Sequence, residues 1–433
     1  MRTHGWETWG AMQKTFRPYD PDQLLLLPPS VRDWVPAGDL AHFISDVTDE
    51  LDLSAIESVY EEEMRGYPPY HPRMMTKLWL YAYAVGQTSS RKLERLARRD
   101  VGFMMLAAGN QPDFRTLALF RQRHLQALAG LFKQVLKLCR KQGLLKLRHV
   151  AIDGTKVKAN ASKHSAMSYG RMKQEDERIS QEIEAWFKKA DKTDAEEDRL
   201  YGEDKRGDEL PEELQTAEGR RKAIRKAMAE LEKEAEEAGQ EAPKDKDQRN
   251  FTDPESRIMR SSEGAFVQGY NAQAAVDSEH QIIVAADLNN MASDSPQLVP
   301  MVNLVRKNLG RNPKEISADA GYCSETNLEA LADRPLEAFI ATGKMHRSYN
   351  QPPSPRGRIP ANLDIRQRMQ RKLQTKAGWA RYRLRQQVVE PVFGQIRNKG
   401  LIRFLLRGEE KCRAEWTLHC LGHNLCKLHP TWA

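Results

Sequence analysis

Apolar and polar residues follow three different patterns along the chain. Residues 1–145 carry apolar positions at helical spacing, and HPRMMTKLWLYAYAV (71–85) is apolar on more than one face, as a packed core helix would be. Residues 166–255 are mostly polar and charged, and short apolar runs return after them. The pattern predicts an α/β protein with a helical N-terminal domain and a charged helical insertion.

Strand patterns begin near residue 146, and the apolar run over residues 150–152 ends abruptly in Asp153. Four further apolar runs, each bounded by turn residues, also predict strands. The five predicted strands cover residues 146–153, 266–276, 281–288, 315–318 and 335–343. A short polar turn separates the second from the third, which predicts a hairpin. Helices are predicted between the later strands and from residue 365 onward.

These elements divide the chain into four segments. We predict a helical domain over 1–145, the first strand of a second domain in 146–165, the charged insertion over 166–255, and the remainder of that second domain, with basic C-terminal helices, over 256–433. The insertion reads as exposed helix and linker, because it is rich in charge and poor in aromatic residues. We therefore expect the chemistry to lie outside it.

Charge is unevenly distributed along the chain. The 433 residues include 68 Lys and Arg against 60 Asp and Glu, a net charge of +8. Residues 341–433 contain 19 basic and 5 acidic residues, whereas residues 171–250 contain 18 basic and 25 acidic ones. The C-terminal part is thus a basic surface suited to a polyanion such as nucleic acid.

Composition also sets the expected compartment. No run of 18 apolar residues is present, so no membrane span is expected. The N-terminus MRTHGWETWG has no apolar core of a secretory signal. Five cysteines, an odd number, indicate a reducing compartment without a disulfide framework. We expect a cytoplasmic protein with no membrane partner.

The helix over 71–85 is followed by a helix with an arginine face. Gly86 breaks the first helix, and Thr88, Ser89 and Ser90 offer N-caps to the second. Arg91 and Arg95 lie on one face of that second helix, as do Arg98 and Arg99. The arrangement is compatible with a helix-turn-helix unit that contacts DNA. A helical hairpin with a solvated charged face is the alternative.

Two predicted strands end in an aspartate followed by a small residue. These are Asp153 in AIDGTK and Asp319 in SADAGY. If their strands lie side by side, the two carboxylates repel one another unless a cation or a proton intervenes. With no His or Cys cluster near them, the hard oxygen ligands indicate Mg²⁺ or Mn²⁺. A common Asp-Gly turn is the alternative interpretation of Asp153.

A third carboxylate lies within a basic helix. Glu390 is the sole acidic residue between Asp364 and Glu409, and an apolar stripe around it predicts a helix packed on the sheet. Glu390 is either a salt-bridging residue or a third metal ligand in a basic groove. Pro391 follows it directly, so we expect the helix to kink or restart there.

Other candidate groups have simpler interpretations. Asp277 fits a hairpin turn and Asp294 a helix cap, while Asp287 is the best substitute for Asp319. Cys323 has no evident base, so it is not expected to be a nucleophile. The C-terminal cysteines and histidines lack zinc spacing, and core packing explains them better. These residues are Cys412, Cys420, His423, Cys426 and His429.

Taken together, the motifs resemble those of bacterial insertion-sequence transposases of the DDE type, whose last catalytic helix carries a Y-x-x-R…E…K signature. The resemblance covers nearly the whole chain. The N-terminal segments that carry it are YDPDQLLLLPPSVRDWVP, YHPRMMTKLWLYAYAVGQTSSRKLE and PDFRTLALFR. The core segments are FTDPESRIMRSSEGAFVQGYNAQAAVD, SADAGYCSETN and VVEPVFGQIRNKG. The resemblance implies a ribonuclease-H-like core, in which the first and fourth strands are neighbours.

The resemblance also implies roles for individual residues. Asp153, Asp319 and Glu390 become the catalytic triad and the ligands of two Mg²⁺ or Mn²⁺ ions. The signature positions are Tyr382, Arg385 and, where the family usually has Lys, Arg397 as a phosphate clamp. Arg385 lies one residue further from the Glu than the family pattern has it. Further contacts to the DNA backbone are expected from Lys156, Lys158 and Lys399, and Gly154 would let that backbone approach closely.

The implied function is DNA transposition. Such an enzyme binds the terminal inverted repeats of its element and target DNA, cuts strands and transfers them, with the N-terminal domain recognising the ends. Bringing two ends together implies a homodimer on DNA, and the substrate implies a place at the bacterial nucleoid. Two alternatives stay open from the sequence: a catalytically silent DNA-binding protein derived from a transposase, and a ribonuclease-H-like nuclease without strand transfer.

Overall fold

The computed structural model describes most of the chain in two compact units. The described residues are 16–20, 22–23, 30–61, 68–162, 165–184, 212–237, 239–261, 264–343, 357, 360 and 362–432. The first unit consists of Met1–Val157, Asn271–Leu406 and Glu410–Ala433. The second consists of Lys158–Tyr270 and Arg407–Glu409. In the described residues, no helix has the length and apolarity needed to cross a membrane.

The N-terminal part of the first unit is helical, as its apolar spacing predicts. Its helices are α1 (Val31–Trp34), α2 (Leu40–Glu50), α3 (Ser54–Glu61), α4 (Pro72–Val85), α5 (Ser90–Leu96), α6 (Val101–Leu106), α7 (Phe114–Arg123) and α8 (Leu125–Lys141). Helix α4 begins with proline at its first position and ends at Gly86, whose φ of 78° is left-handed. Trp79 and Tyr83 of α4 are fully buried. Residues 1–15 of this predicted domain lie outside the described part.

The first unit also contains a mixed sheet. Its strands are β1 (His149–Lys158), β5 (Phe266–Asp277), β6 (Ile283–Asn289), β7 (Glu315–Ala318) and β8 (Glu337–Ile340). Their order is β6-β5-β1-β7-β8, with β1, β7 and β8 parallel and the β5–β6 pair antiparallel. The predicted hairpin is therefore confirmed, and the first and fourth strands of the sheet are neighbours, as expected. The fold class is α/β.

The first strand is longer than predicted. We expected it to end at Asp153, but β1 continues to Lys158. Its pairing with β7 stops at Ile152 and Ala318. Strand β5, the neighbour on the other side of β1, extends beyond that point. One partner strand is enough to keep the backbone extended, so Asp153 lies where β1 separates from β7 rather than in a turn.

Helices α11, α14 and α15 pack on this sheet. The helices after β6 are α11 (Leu298–Leu309), α12 (Glu325–Ala332), α13 (Ile365–Gln374), α14 (Lys376–Asn398) and α15 (Glu409–Leu428). Three of their side chains bond to the backbone of β6, the edge strand of this sheet. Asn424 bonds to both the N–H and the carbonyl of Ile283, Asn308 donates to Val284 and Arg413 donates to Leu288. The edge is thus closed by the helices.

The second unit contains the charged insertion. Helical residues 169–184 (α9) and α10 (Glu212–Glu237) accompany β2 (Ala166–Ser168), β3 (Gln248–Asn250) and β4 (Arg257–Arg260). Strand β2 pairs with β3, and β4 pairs with the start of β5. The helices were predicted, but the strand pair β2–β3 was not. An apolar cluster that includes Met172, Ile179 and Ile224 packs between the helices, so this charged segment has its own core.

Candidate active site

Asp153 and Asp319 lie at the same end of two neighbouring parallel strands. Ile152 of β1 pairs with Ala318 of β7, and each aspartate is the next residue. Asp319 caps the short 3₁₀ turn Ala320–Tyr322 and accepts a hydrogen bond of 2.9 Å from the Gly321 N–H. Asp153 accepts one of 2.9 Å from the Gly154 N–H. The sheet therefore brings together the two carboxylates that the sequence separates widely.

Arg385 of α14 links Asp153 to Glu390. Its guanidinium lies 2.6 Å from the Asp153 carboxylate and 3.6 Å from the Glu390 carboxylate. The Arg385 and Asp153 side chains are only 12% and 14% exposed, whereas that of Glu390 is 54% exposed. The three predicted carboxylates share one neighbourhood through this cation. In the described part of the chain, no three His, Cys, Asp or Glu side chains already stand in a metal-binding arrangement.

Asp153 is a buried carboxyl whose charge Arg385 compensates only in part. Burial raises its pKa to about 7, the Arg385 guanidinium opposes the rise, and the negative charges of Asp319 and Asp294 add to it. A carboxyl whose pKa is raised by neighbouring carboxylates gains stability as an anion when positive charge is added. The electrostatics of this site therefore favour a bound cation beside Asp153 and Asp319.

Asp294 does not cap a helix. The predicted cap is wrong, since its side chain makes no capping hydrogen bond to the turn that follows. Its Oδ1 instead accepts hydrogen bonds from Lys156 Nζ at 2.9 Å, Asn271 Nδ2 at 2.7 Å and Gln273 Nε2 at 2.9 Å. Gln273 Oε1 in turn accepts one from the hydroxyl of Tyr322. Asp294 is thus the centre of a polar network beside the two aspartates.

Gly154 is required by this network. A Cβ at Gly154 would lie 2.4 Å from Gln273 Nε2 and 2.8 Å from Asp294 Oδ1, closer than real Cβ contacts come. We expected the glycine to admit a DNA backbone, but side chains of the protein itself occupy the space. The absence of a side chain here has an internal steric reason.

Helix α14 continues through Pro391. The predicted restart is wrong, because α14 is helical from Lys376 to Asn398. Proline has no N–H, so it leaves the carbonyl of Gln387, four residues earlier, without its helical donor. Gln281 supplies the replacement, with its Nε2 3.1 Å from the Gln387 oxygen. The helix that carries Glu390 is therefore completed by a side chain from the β5–β6 turn.

Comparison with known families now adds independent information. Residues 29–123 match the family described as Transposase domain (DUF772), and residues 239–425 match the family described as Transposase DDE domain. Together these matches cover more than half of the 433 residues. No curated protein and no solved structure matches the chain.

The chain belongs to the insertion-sequence transposases of the DDE type. It is a DNA transposase, and neither the silent DNA-binding protein nor the nuclease without strand transfer is favoured. The DDE family uses divalent metal ions. The donor set of this transposase fits such an ion, because Asp153 and Asp319 offer hard carboxylate oxygens at neighbouring strand ends and the charge of Asp153 is compensated only in part.

The predicted DNA-binding residues of the transposase have varied surroundings in the structure. Arg397 is exposed and donates to Thr155 Oγ1, while half-buried Lys399 donates to Cys426 Sγ at 2.9 Å. Lys156 is paired with Asp294. Lys158, the last residue of β1, is exposed. The DNA-binding roles of these four residues stay predictions.

Two more groups belong to the predicted DNA surface. Tyr382 is 8% exposed, its ring centroid lies 6.0 Å from that of Trp379, and burial raises its pKa. Tyr382 is thus largely a packing residue. On α5, Arg91 and Arg95 are both exposed, and the Arg91 guanidinium lies 4.7 Å from the centroid of the Phe114 ring. Both arginines are accessible to a groove of DNA, as a helix-turn-helix reader requires.

The remaining rival groups have structural explanations. Asp277 accepts from the backbone N–H groups of Leu147 and Glu279 in the hairpin turn. Asp287 pairs with Arg413 at 2.8 Å. Cys412, Cys420 and His423 are buried on α15 and Cys426 is half-buried there, while His429 stacks near Phe43. Burial raises the pKa of the Cys323 thiol, which makes it a poorer nucleophile.

Sequence reasoning missed the polar network of the transposase. Asn271 and Gln273 are fully buried on β5, and they point to one face because side chains alternate along a strand. Two buried amides at positions i and i+2 of one strand were a readable signal, since buried polar groups need partners. Nothing in the sequence linked them to Asp294 or to Tyr322.

Proposed function

We propose that Asp153, Asp319 and Glu390 are the catalytic carboxylates of this transposase and that the core around them is ribonuclease-H-like. The observation that supports this best is the register of β1 on β7, which places Asp153 and Asp319 side by side. The order of the core strands along the sheet, third-second-first-fourth-fifth, agrees with that fold. Glu390 enters from the helix that packs beside β7.

These carboxylates would hold Mg²⁺ or Mn²⁺, and two ions suit an in-line displacement at phosphorus. When bound, the ions activate water or a DNA 3′-hydroxyl and stabilise charge on the phosphate. The protein supplies the oxygen ligands on a rigid sheet. Arg385 compensates the negative charges of Asp153 and Glu390. It would also attract a phosphate of the DNA, which would then replace the two carboxylates as the partner of the guanidinium.

DNA contacts follow from the remaining basic residues. Arg397, Lys399 and Lys158 would bind phosphates near the carboxylates, and Arg91 and Arg95 on α5 would read the terminal inverted repeats. Lys156 would contribute once DNA competes with Asp294. Synapsis of two ends requires two active sites, so we propose a homodimer on DNA, acting at the nucleoid.

Isosteric neutral variants test the triad. Asp153→Asn, Asp319→Asn and Glu390→Gln keep side-chain size and remove the charge, so cleavage of an end-bearing duplex should fall by at least about 100-fold. DNA binding should persist, because a carboxylate facing phosphates is repulsive without metal. Asp287→Asn is the matched control and should cut normally. A triad variant that cuts at near the wild-type rate would remove that residue from the site.

A further inference from the structure

We propose that Asp294 is a fourth carboxylate of the metal site and that it presents its Oδ2 atom to the ion held by Asp319. This inference rests on the proposed function of Asp153 and Asp319, and it adds a ligand that the DDE triad does not include. Asp294 reaches the site from a third direction, since it follows β6 and precedes α11.

The Asp294 carboxylate is fixed through one oxygen. Its Oδ1 accepts from the ammonium of Lys156 and from the amides of Asn271 and Gln273, at 2.7 to 2.9 Å. Both amides are buried, so their positions are set by β5. Three donors on one oxygen hold the carboxylate in a single orientation.

The second oxygen is open. Among the described residues, no donor bonds to Asp294 Oδ2, and the side chain is 23% exposed. A carboxylate used only for structure would have both oxygens satisfied at a partly buried position. The Asp294 carboxylate keeps its Oδ2 atom oriented and accessible, as a metal ligand must be.

Gly321 shows where the open oxygen lies. A Cβ at Gly321 would be 3.0 Å from Asp319 Oδ1 and 3.6 Å from Asp294 Oδ2. Both oxygens therefore border one small space that the glycine leaves free of side chain. Oxygen ligands at about 2.0–2.1 Å from a Mg²⁺ ion need such proximity, and small side-chain rotations would complete it.

Lys156 makes the arrangement testable. The Lys156 ammonium donates a hydrogen bond to Asp294 Oδ1 and partly neutralises the negative charge of that carboxylate. A bound cation and this ammonium compete for the same negative charge. Removing the ammonium should therefore leave Mn²⁺ affinity unchanged or increase it, whereas removing the Oδ2 charge should reduce it. A network that served only to stabilise the fold would lose Mn²⁺ affinity with either change.

The experiment measures Mn²⁺ binding to the full-length protein without DNA, from the electron paramagnetic resonance signal of free Mn²⁺. Asp294→Asn retains an oxygen for the three donors and replaces Oδ2 by an amide. It should raise the Mn²⁺ dissociation constant at least about tenfold. Lys156→Met should not raise it, and Asp287→Asn should remain at the wild-type value. Equal constants for Asp294→Asn and Asp287→Asn would overturn the proposal, as would a rise with Lys156→Met that matches Asp294→Asn.

Asp319→Asn separates this inference from the proposed function. If Asp319→Asn weakens Mn²⁺ binding and Asp294→Asn does not, the fourth carboxylate is wrong and the triad stands. If the wild type binds no Mn²⁺, or Asp319→Asn leaves binding unchanged, the metal site itself is wrong and the inference fails with it. Thermal unfolding of each variant is recorded, and Asp294→Glu, which keeps the charge, should recover part of the Mn²⁺ affinity lost in Asp294→Asn.

Discussion

The side-chain amide of Gln281 donates a hydrogen bond of 3.1 Å to the carbonyl oxygen of Gln387. The Gln387 oxygen has no donor within the helix, because the residue four positions later is Pro391, which lacks a backbone N–H. Pro391 directly follows Glu390. Gln281 has a left-handed φ of 57°, and its own carbonyl accepts from His423 Nε2 at 2.9 Å. A strained residue is held here by its surroundings, which ties the turn to the helix that carries Glu390.

A double-mutant cycle measures the energetic coupling between Gln281 and Pro391. Gln281→Ala should lower the free energy of unfolding by about 0.5–1.5 kcal/mol, since an exposed hydrogen bond to the Gln387 carbonyl is lost. In the Pro391→Ala background, the backbone N–H of residue 391 can donate to the Gln387 carbonyl. Gln281→Ala should therefore lower the free energy of unfolding clearly less in that background. Thermal denaturation of the four proteins gives the coupling. Equal costs in both backgrounds would show that the hydrogen bond is incidental.

Gly154 should not accept a methyl group. Gly154→Ala places a Cβ against Gln273 and Asp294, and overpacking of this kind costs about 1–3 kcal/mol. It should lower the thermal midpoint and displace Asp153, so cleavage falls too. Gly130 is the control, because a Cβ there meets nothing within 4 Å and alanine favours the helix. If the alanine variants at Gly154 and Gly130 have the same thermal midpoint and cleavage rate, the neighbours of Gly154 accommodate the methyl group without loss of stability.

Phosphate contacts should appear in the salt dependence of DNA binding. Arg397→Ala should reduce the slope of log affinity against log salt by about one unit, and Lys399→Ala by up to as much. Arg413→Ala is the control, since that guanidinium is bound to Asp287 and the β6 backbone. Fluorescence anisotropy from low to high salt gives the slopes. An unchanged slope for Arg397→Ala would place it away from DNA.

Recognition of element ends should depend on α5. In the full-length protein, Arg91→Ala with Arg95→Ala should reduce the preference for terminal-repeat DNA over random DNA by roughly 10- to 100-fold, the effect of losing one or two base contacts. Lys133 and Lys137 are exposed on α8, so their double alanine variant controls for lost charge. Competition binding at fixed salt measures the ratio. A similar loss in both variants would assign α5 to backbone contact.

Acid should destabilise the first unit through buried histidines on α15. Burial lowers the pKa of His419 to about 3 and of His423 to about 4. Above pH ~6.5 both are neutral in either state. Below it the unfolded chain takes up protons that the folded chain refuses, so stability falls as pH drops toward 4. His423→Gln should flatten the fall in thermal midpoint between pH 7 and 4.5, while exposed His280→Gln should leave it unchanged.

The sequence predicted those parts of the fold that depend on local pattern. Apolar spacing located α4, the β5–β6 hairpin and the strand that ends before Asp319, because burial of one face dictates each of them. The placement of Asp153 beside Asp319 came from the resemblance, since strand neighbours separated by 166 positions leave no local trace.

The three wrong predictions about local structure share one cause. The end of β1 at Asp153, the interruption of α14 at Pro391 and the cap at Asp294 were each predicted from the usual local behaviour of these residues. In each case a distant partner decides the outcome: β5 for the first, Gln281 for the second and the β5 amides for the third. Local preference is worth about 1–3 kcal/mol, which a few tertiary hydrogen bonds outweigh.

The closed edge of β6 bears on how these molecules behave when crowded. Asn308, Arg413 and Asn424 already bond to the backbone groups with which another chain would pair. An open sheet edge is a template for intermolecular β-addition and, from there, for fibrils. Copies of the protein that bound close together on DNA would therefore be hindered from polymerising through this strand. Loss of the Asn424 amide would first be seen as turbidity, before any change in the chemistry of the carboxylates.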